Sequence, residues 1–294
     1  VHWEDWIPRE GEFPVVGYSI NSTLHSVPAC QSIVKKAVID RLSATYGIAQ
    51  FPETGRRYQV RFSIMKDEVT VGLDTSGEGL YKRGYRAHGV AAPLKETLAA
   101  AMVKLSHYNG RDPFCDPFCG SGTIAIEAAL IARNRAPGLN RSFAAQHWAA
   151  LDKTLWLDAA DEAMDNEFHG KYDIWGGDID PDAVELSRHN AELAEVDDIV
   201  KFEVDDATRF HWGGLYGRIV TNPPYGERLL EREEAGELYK AFGKAMDKLP
   251  DTWRVYVLSS HPDFERCYGR FADKKRKLYN GMLKCDLFMY GKRL

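Results

Sequence analysis

From Gln31 to Tyr46 the apolar positions return every fourth residue, at Val34, Val38 and Leu42, with Ala37 and Tyr46 widening the stripe. That period predicts an amphipathic helix. Pro28 stands where such a helix can start and Gly47 where it can stop. The period then shortens to two. Tyr58, Val60, Phe62 and Ile64 alternate with Gln59, Arg61 and Ser63, Lys66-Asp67-Glu68 offers a turn, and Val69, Val71 and Leu73 resume the alternation. A helix followed by a hairpin predicts a small α+β module, too thin to bury a full core alone.

Past residue 87 the pattern changes to short apolar runs alternating with helical periods, which predicts an α/β fold around a mostly parallel sheet. Strands are expected at Phe114–Asp116, Tyr172–Gly176, Val200–Val204, Arg218–Thr221 and Trp253–Ser259, and helices at Leu94–Ser106, Thr123–Arg133, Pro181–Ala194 and Ala235–Leu249. Lys275–Tyr279 and Leu283–Tyr290 read as a closing antiparallel hairpin around Asn280-Gly281. Residues 135–171 read as an insertion, with Pro137-Gly138 in a loop and a helix after it. Two domains are therefore expected, 1–87 and 88–294.

Composition narrows the class. A chain of 294 residues, 44% hydrophobic and 28% charged, suits one large domain and a smaller one. No apolar run approaches the ~20 residues that span a bilayer, and Val1 to Trp6 lacks the basic start and apolar core of a signal peptide. Five cysteines predict free thiols and a cytoplasmic setting. The sequons at Asn21 and Asn140 are then chance. The net charge of −5 sits awkwardly with phosphate binding, but the cations are clustered. Arg266, Arg270, Lys274, Lys275, Arg276, Lys277 and Lys284 face one acid, Asp273, and Lys82-Arg83-Gly84-Tyr85-Arg86 forms a second cluster. Each cluster is equally a solvated face.

Candidate chemistry gathers at strand ends. Asp116-Pro117-Phe118-Cys119-Gly120-Ser121-Gly122-Thr123 follows a strand and opens a helix. Its glycines permit close backbone approach, and the helix start exposes unpaired N–H groups. No Gly-Lys-Ser/Thr ends the loop, which excludes a triphosphate site of P-loop type. Asp178-Ile179-Asp180-Pro181 follows the next strand, where an acid can take both hydroxyls of a ribose; Asp180-Pro181 would equally cap the following helix. Asp205-Asp206-Ala207 lies just past the third strand, where a carboxylate could accept from an adenine amino group.

The most specific motif is Thr221-Asn222-Pro223-Pro224-Tyr225-Gly226. Two prolines stiffen the turn and remove two donors, so it presents carbonyls. The Asn222 amide oxygen adds an acceptor. An exocyclic amine is a poor nucleophile because its lone pair is delocalised into the ring. Two acceptors gripping its hydrogens draw the nitrogen toward sp³ geometry, and Tyr225 offers a face on which an extruded base can stack.

The loop 116–123 and the turn 222–225 together resemble motifs I and IV of amino-methyltransferases that use S-adenosylmethionine. Residues 75–86 and 92–100, with Arg135-Ala136-Pro137-Gly138-Leu139, make the chain similar to THUMP-containing bacterial enzymes that methylate guanine N2 of 23S rRNA. The resemblance implies a class I Rossmann-like domain behind a partial THUMP module, since those enzymes carry more residues upstream of the position of Val1. It implies Asp116, Gly120 and Gly122 around the cofactor's methionine portion, Asp180 on the ribose, Asp206 near the adenine, and Asn222, Pro223 and Tyr225 on the target base. The partner implied is RNA, with neither metal nor membrane. DNA adenine-N6 and protein glutamine-N5 methyltransferases share the Asn-Pro-Pro-Tyr turn and stand as alternatives. Cys115 and Cys119 lie by the cofactor loop, away from Tyr225, which argues against a cytosine-C5 mechanism, and they lack the second pair a zinc site needs. His147, Trp148 and Trp156 read as core aromatics or as an RNA-channel lining.

Overall fold

The computed structural model describes residues 1–86, 94–225 and 229–291, with side chains throughout except at 229–232. Gly226 of the Asn-Pro-Pro-Tyr motif and Ala92-Pro93 lie outside the described residues. Contacts divide the chain into two units, Val1–Leu80 with Arg141–Glu162, and Tyr81–Asn140 with Ala163–Leu294.

In the first unit, β1 (Val15–Ile20), α1 (Val27–Tyr46), β2 (Val60–Met65) and β3 (Glu68–Leu73) build a three-stranded sheet in the order β1-β2-β3. β1 runs parallel to β2 and β3 antiparallel to it. α1 starts earlier than its stripe predicts because the proline sits in its first turn, and it ends on Gly47 in the left-handed region (φ 66°). β1 escapes the pattern of the sequence, since Gly17 interrupts its alternation where the backbone passes under the Phe62 ring.

Residues 141–162 depart from the expected two-domain division, and packing is the reason. Trp148 is buried with Trp3, Ile7, Leu42 and Tyr58 in the core of this unit. Its indole stacks on Tyr58 with centroids 5.2 Å apart, and its Nε1 donates to the Arg57 carbonyl at 3.2 Å. Arg141 donates to the carbonyls of Glu78 (2.7 Å) and Gly79 (2.9 Å). Of the two readings of Trp148, the core one holds; Trp156 is half-buried and stacks on Phe143, and His147 is exposed.

The second unit is an α/β sandwich. Its strands are β4 (Phe114–Asp116), β5 (Ile174–Asp178), β6 (Val200–Val204), β7 (Arg218–Thr221), β8 (Arg254–Ser259), β9 (Lys274–Asn280) and β10 (Leu283–Tyr290). They form one sheet in the order β6-β5-β4-β7-β8-β10-β9. The first five are parallel, and β10 is antiparallel to both its neighbours. Along β8, Tyr256 and Leu258 enter one apolar cluster and Val255 and Val257 another. Such alternation of two apolar sets requires helices on both faces. Helices α2 (Glu96–Leu105), α3 (Thr123–Arg133), α5 (Pro181–Leu193), α6 (Leu229–Met246) and the short α7 (Phe264–Tyr268) accompany the strands, while α4 (Thr154–Asp165) lies in the excursion between β4 and β5.

β4 is flanked by β5 on one side and β7 on the other, so strand order reverses there. In an open α/β sheet the crevice at the carboxyl ends beside such a reversal is where ligands bind. All four candidate motifs follow strands β4 to β7. The closing hairpin turns through Gly281 and Met282, one residue past the expected centre, with Asn280 still paired to Leu283. Gly281 has φ 63°, which suits the first position of a two-residue hairpin turn that starts with glycine.

Candidate active site

A cavity of about 700 Å³ opens at this edge, lined by Pro117, Phe118 and Gly120, by Asp178 and Ile179, by Asp206 and Ala207, and by Asn222 to Tyr225. Leu94, Lys95, Leu238 and the hairpin residues Asn280, Gly281 and Leu283 complete the wall. Its size falls within the range of ~300–1,000 Å³ usual for small-molecule sites.

The loop after β4 is held from several sides. Gly120 N–H donates to Asp178 Oδ2 at 2.9 Å, and Cys119 N–H to the Gly177 carbonyl at 2.9 Å. Ser187 Oγ donates to the Gly120 carbonyl and Asn190 Nδ2 to that of Ser121. Gly122 precedes α3 at φ 80°, and a Cβ there would lie 3.0 Å from both Phe202 and Ser187. Around Gly120, by contrast, a Cβ would meet no described atom within 4 Å. The loop is therefore packed beneath and open above. Cys119, Ser121, Gly122 and Thr123 shape it from behind the cavity wall, and Thr123 accepts from Arg86 Nη2 at 3.1 Å.

Asp116 lies deeper than its place in the motif suggests. It is buried, its Oδ1 accepts from Thr221 Oγ1 (2.6 Å) and from Phe118 N–H (3.3 Å), and its Oδ2 has no hydrogen-bond partner among the described residues. Burial pushes its carboxyl up to about 7, against the pull of those two donors. The bond to Thr221 ties the glycine loop to the Asn-Pro-Pro-Tyr turn.

The acid pair after β5 splits its tasks. Asp180 Oδ1 accepts from Asp182 N–H at 3.0 Å and so caps α5, while Asp178 faces the cavity. Ile179 is an aliphatic side chain left 71% exposed in the same wall, a surface suited to the face of a planar ring. Asp206 accepts from Thr208 N–H (2.9 Å) and Oγ1 (2.7 Å), which hold its carboxyl below the usual range and keep it an acceptor.

In the proline turn, Tyr225 donates its hydroxyl to Asn222 Oδ1. Burial pushes the Tyr225 phenol up, so it stays a donor. Tyr239 donates to the Pro224 carbonyl at 2.5 Å. The Pro223 carbonyl accepts from no described residue, and together with the second lone pair of Asn222 Oδ1 it gives the two acceptors that an amine requires.

Lys95, Leu238 and the hairpin tip carry no local signal that ties them to the strand ends of the cavity. The Asn-Gly turn signal was visible, but its place beside the site depends on β10 inserting between β8 and β9. Among the described residues no cluster of three or more His, Cys, Asp or Glu side chains suits a metal ion, and no helix is long and apolar enough to cross a membrane.

Comparison with known proteins adds five findings. Residues 83–288 match the family model described as an RMKL-like methyltransferase domain, and residues 1–74 match that of the THUMP domain. YpsC of Bacillus subtilis (strain 168), whose name proposes it as an RNA methyltransferase, is 47% identical over all of this chain and 77% of its own length. A structure from Listeria monocytogenes str. 4b F2365, described as a predicted N6-adenine-specific DNA methylase, is 47% identical with a TM-score of 0.90, covering 99% of this chain and 76% of that one. SMU.472, whose description proposes it as a methyltransferase and which was solved with S-adenosylhomocysteine, is 41% identical with a TM-score of 0.88 over 99% of this chain and 78% of its own.

Proposed function

Because the chain belongs to the RMKL-like methyltransferase-domain family, we propose that it transfers a methyl group from S-adenosylmethionine to an exocyclic amine of a base in RNA, guanine N2 of 23S rRNA being the favoured acceptor. The observation that carries this reading is one cavity shared by the glycine loop, the acids after β5 and β6, and the Asn222–Tyr225 turn. The residues suit the cofactor. Asp178 at the end of β5 matches a ribose diol, Asp206 an adenine amino group, Ile179 the adenine face, and the open backbone at Gly120 the methionine portion. Asp116, whose Oδ2 has no hydrogen-bond partner among the described residues, opens that loop.

The cofactor supplies an electrophilic methyl on its sulfonium. The chain supplies position. Asn222 Oδ1 and the Pro223 carbonyl accept the two amine hydrogens and leave the nitrogen lone pair directed into the cavity. Tyr225 anchors the Asn222 amide through its hydroxyl and offers its ring to the base. Two stiff prolines keep both acceptors in place before the base arrives, so catalysis rests on orientation rather than on a covalent nucleophile. RNA is favoured over DNA by the THUMP match and by the name of the YpsC relative. The Listeria relative supports DNA adenine N6 as the second reading.

Radiolabelled-methyl transfer to ribosomal RNA, DNA and peptide in parallel separates these readings, and transfer confined to DNA overturns the proposal. Asn222→Ala is expected to lower turnover at least 100-fold while calorimetry finds cofactor affinity within about threefold of the parent chain. Unchanged turnover removes Asn222 from the mechanism.

A further inference from the structure

β9 forms one edge of the seven-stranded sheet. Along it Lys274, Arg276 and Lys277 are exposed and make no ion pair with the described residues, whereas Lys275 is bound to Glu265 at 2.8 Å. The strand runs about 20 Å at ~3.4 Å per residue and ends at the Gly281–Met282 turn. Asn280, Gly281 and Leu283 belong to the cavity wall that also holds Asn222 and Tyr225. At the tip Met282 is 100% exposed, and Tyr279 beside it is 59% exposed.

Lysines on an edge strand commonly guard against edge-to-edge pairing. A guard alone does not account for a bare methionine and a tyrosine held in water at the mouth of a reaction cavity. A nucleic-acid strand accounts for all of them. Cations meet phosphates, a flat aromatic ring takes a base, and an apolar wedge enters the stack where a base has left it. An enzyme that acts on a base amine must first withdraw that base from its neighbours.

We propose that the β9–β10 hairpin is the base-opening wedge of the RNA site. Met282 fills the gap beside the extruded base, Tyr279 stacks on a neighbouring one, and Lys274, Arg276 and Lys277 carry the phosphates that lead to the cavity. This rests on the reading above that the acceptor is a base in RNA.

The test uses the full chain, Met282→Ala and the triple variant K274Q/R276Q/K277Q, with ribosomal RNA extracted from cells lacking the gene. All altered side chains are exposed, and calorimetry should find cofactor affinity within twofold in each. Met282→Ala is expected to lower kcat about tenfold with RNA affinity held within threefold, because a wedge acts after binding. The triple variant should weaken RNA binding and flatten the slope of log K against log salt by about 2, near 0.7 for each lost phosphate contact. Parental kcat in Met282→Ala, or a parental salt slope in the triple variant, overturns the wedge. If the parent chain binds the RNA but transfers no methyl to it, the acceptor assigned above falls, while the salt slope still decides whether the hairpin carries RNA.

Discussion

At the scale of single residues, the site separates acids that the sequence presents as equivalent. Asp178 and Asp180 are two positions apart, yet one faces the cavity and the other closes the first turn of α5. Asp178→Ala is expected to weaken cofactor binding 10- to 100-fold, the ~1.5–3 kcal/mol of hydrogen bonds to a charged group. Asp180→Ala should cost about 1 kcal/mol of stability, the usual loss of an N-cap, and leave affinity nearly unchanged. Calorimetry and thermal melting on both variants check the split, and equal affinity losses would refute it. Asp116 makes a pH prediction. Its folded carboxyl keeps a proton to about 7, whereas the unfolded one releases it near 3.8. Between those values the folded state binds more protons, so stability falls as pH rises. Glu127, buried and also raised to about 7, acts in the same direction. Asp116→Asn should therefore flatten the decline in Tm of the cofactor-free protein from pH 5 to 8. An unchanged slope would show that Asp116 is ionised throughout.

At the scale of elements, the glycine loop works because its backbone is held in a conformation that few residues tolerate. Gly122→Ala places a Cβ at positive φ against Phe202 and Ser187, at a cost of about 2 kcal/mol. The expected result is a Tm lowered by roughly 4–8 °C together with lost cofactor binding; a parental melting curve would contradict it. The strands and helices around that loop were legible because each carries its own apolar period. β4, β6, β7 and β10 stand where alternation and turn residues place them, and β9 extends one residue beyond its reading at each end. β1 was hidden by Gly17, and the first turns of α6 by an acidic Glu231 to Glu234 run without an apolar stripe. The Asn222–Tyr225 turn was legible for a different reason: its chemistry is written in four consecutive residues. The hairpin's share of the cavity was not, since strand order across a sheet leaves no trace in local spacing.

At the scale of the whole molecule, the excursion between β4 and β5 is where the sequence reading and the structure diverge most. Hydrophobic period alone cannot tell which core a tryptophan joins. Trp148→Ala removes an indole from a core of modest size and leaves the Arg57 carbonyl without its donor, a loss of about 3–5 kcal/mol. Hydrogen exchange is expected to accelerate in β2 and β3 while β4 and α3 keep their protection. Acceleration in β4 instead would assign residue 148 to the other unit.

Because Arg141–Glu162 packs into the same unit as Val1–Leu80, the order of synthesis acquires a meaning. On the ribosome Tyr58 emerges with its ring uncovered, and the indole that covers it follows only after Tyr81–Asn140 has been translated. The residues around Tyr58 must wait for a segment of their own core, just as the glycine loop must wait for Asp178, Ser187 and Asn190, and a protease acting in that interval meets an unfinished unit.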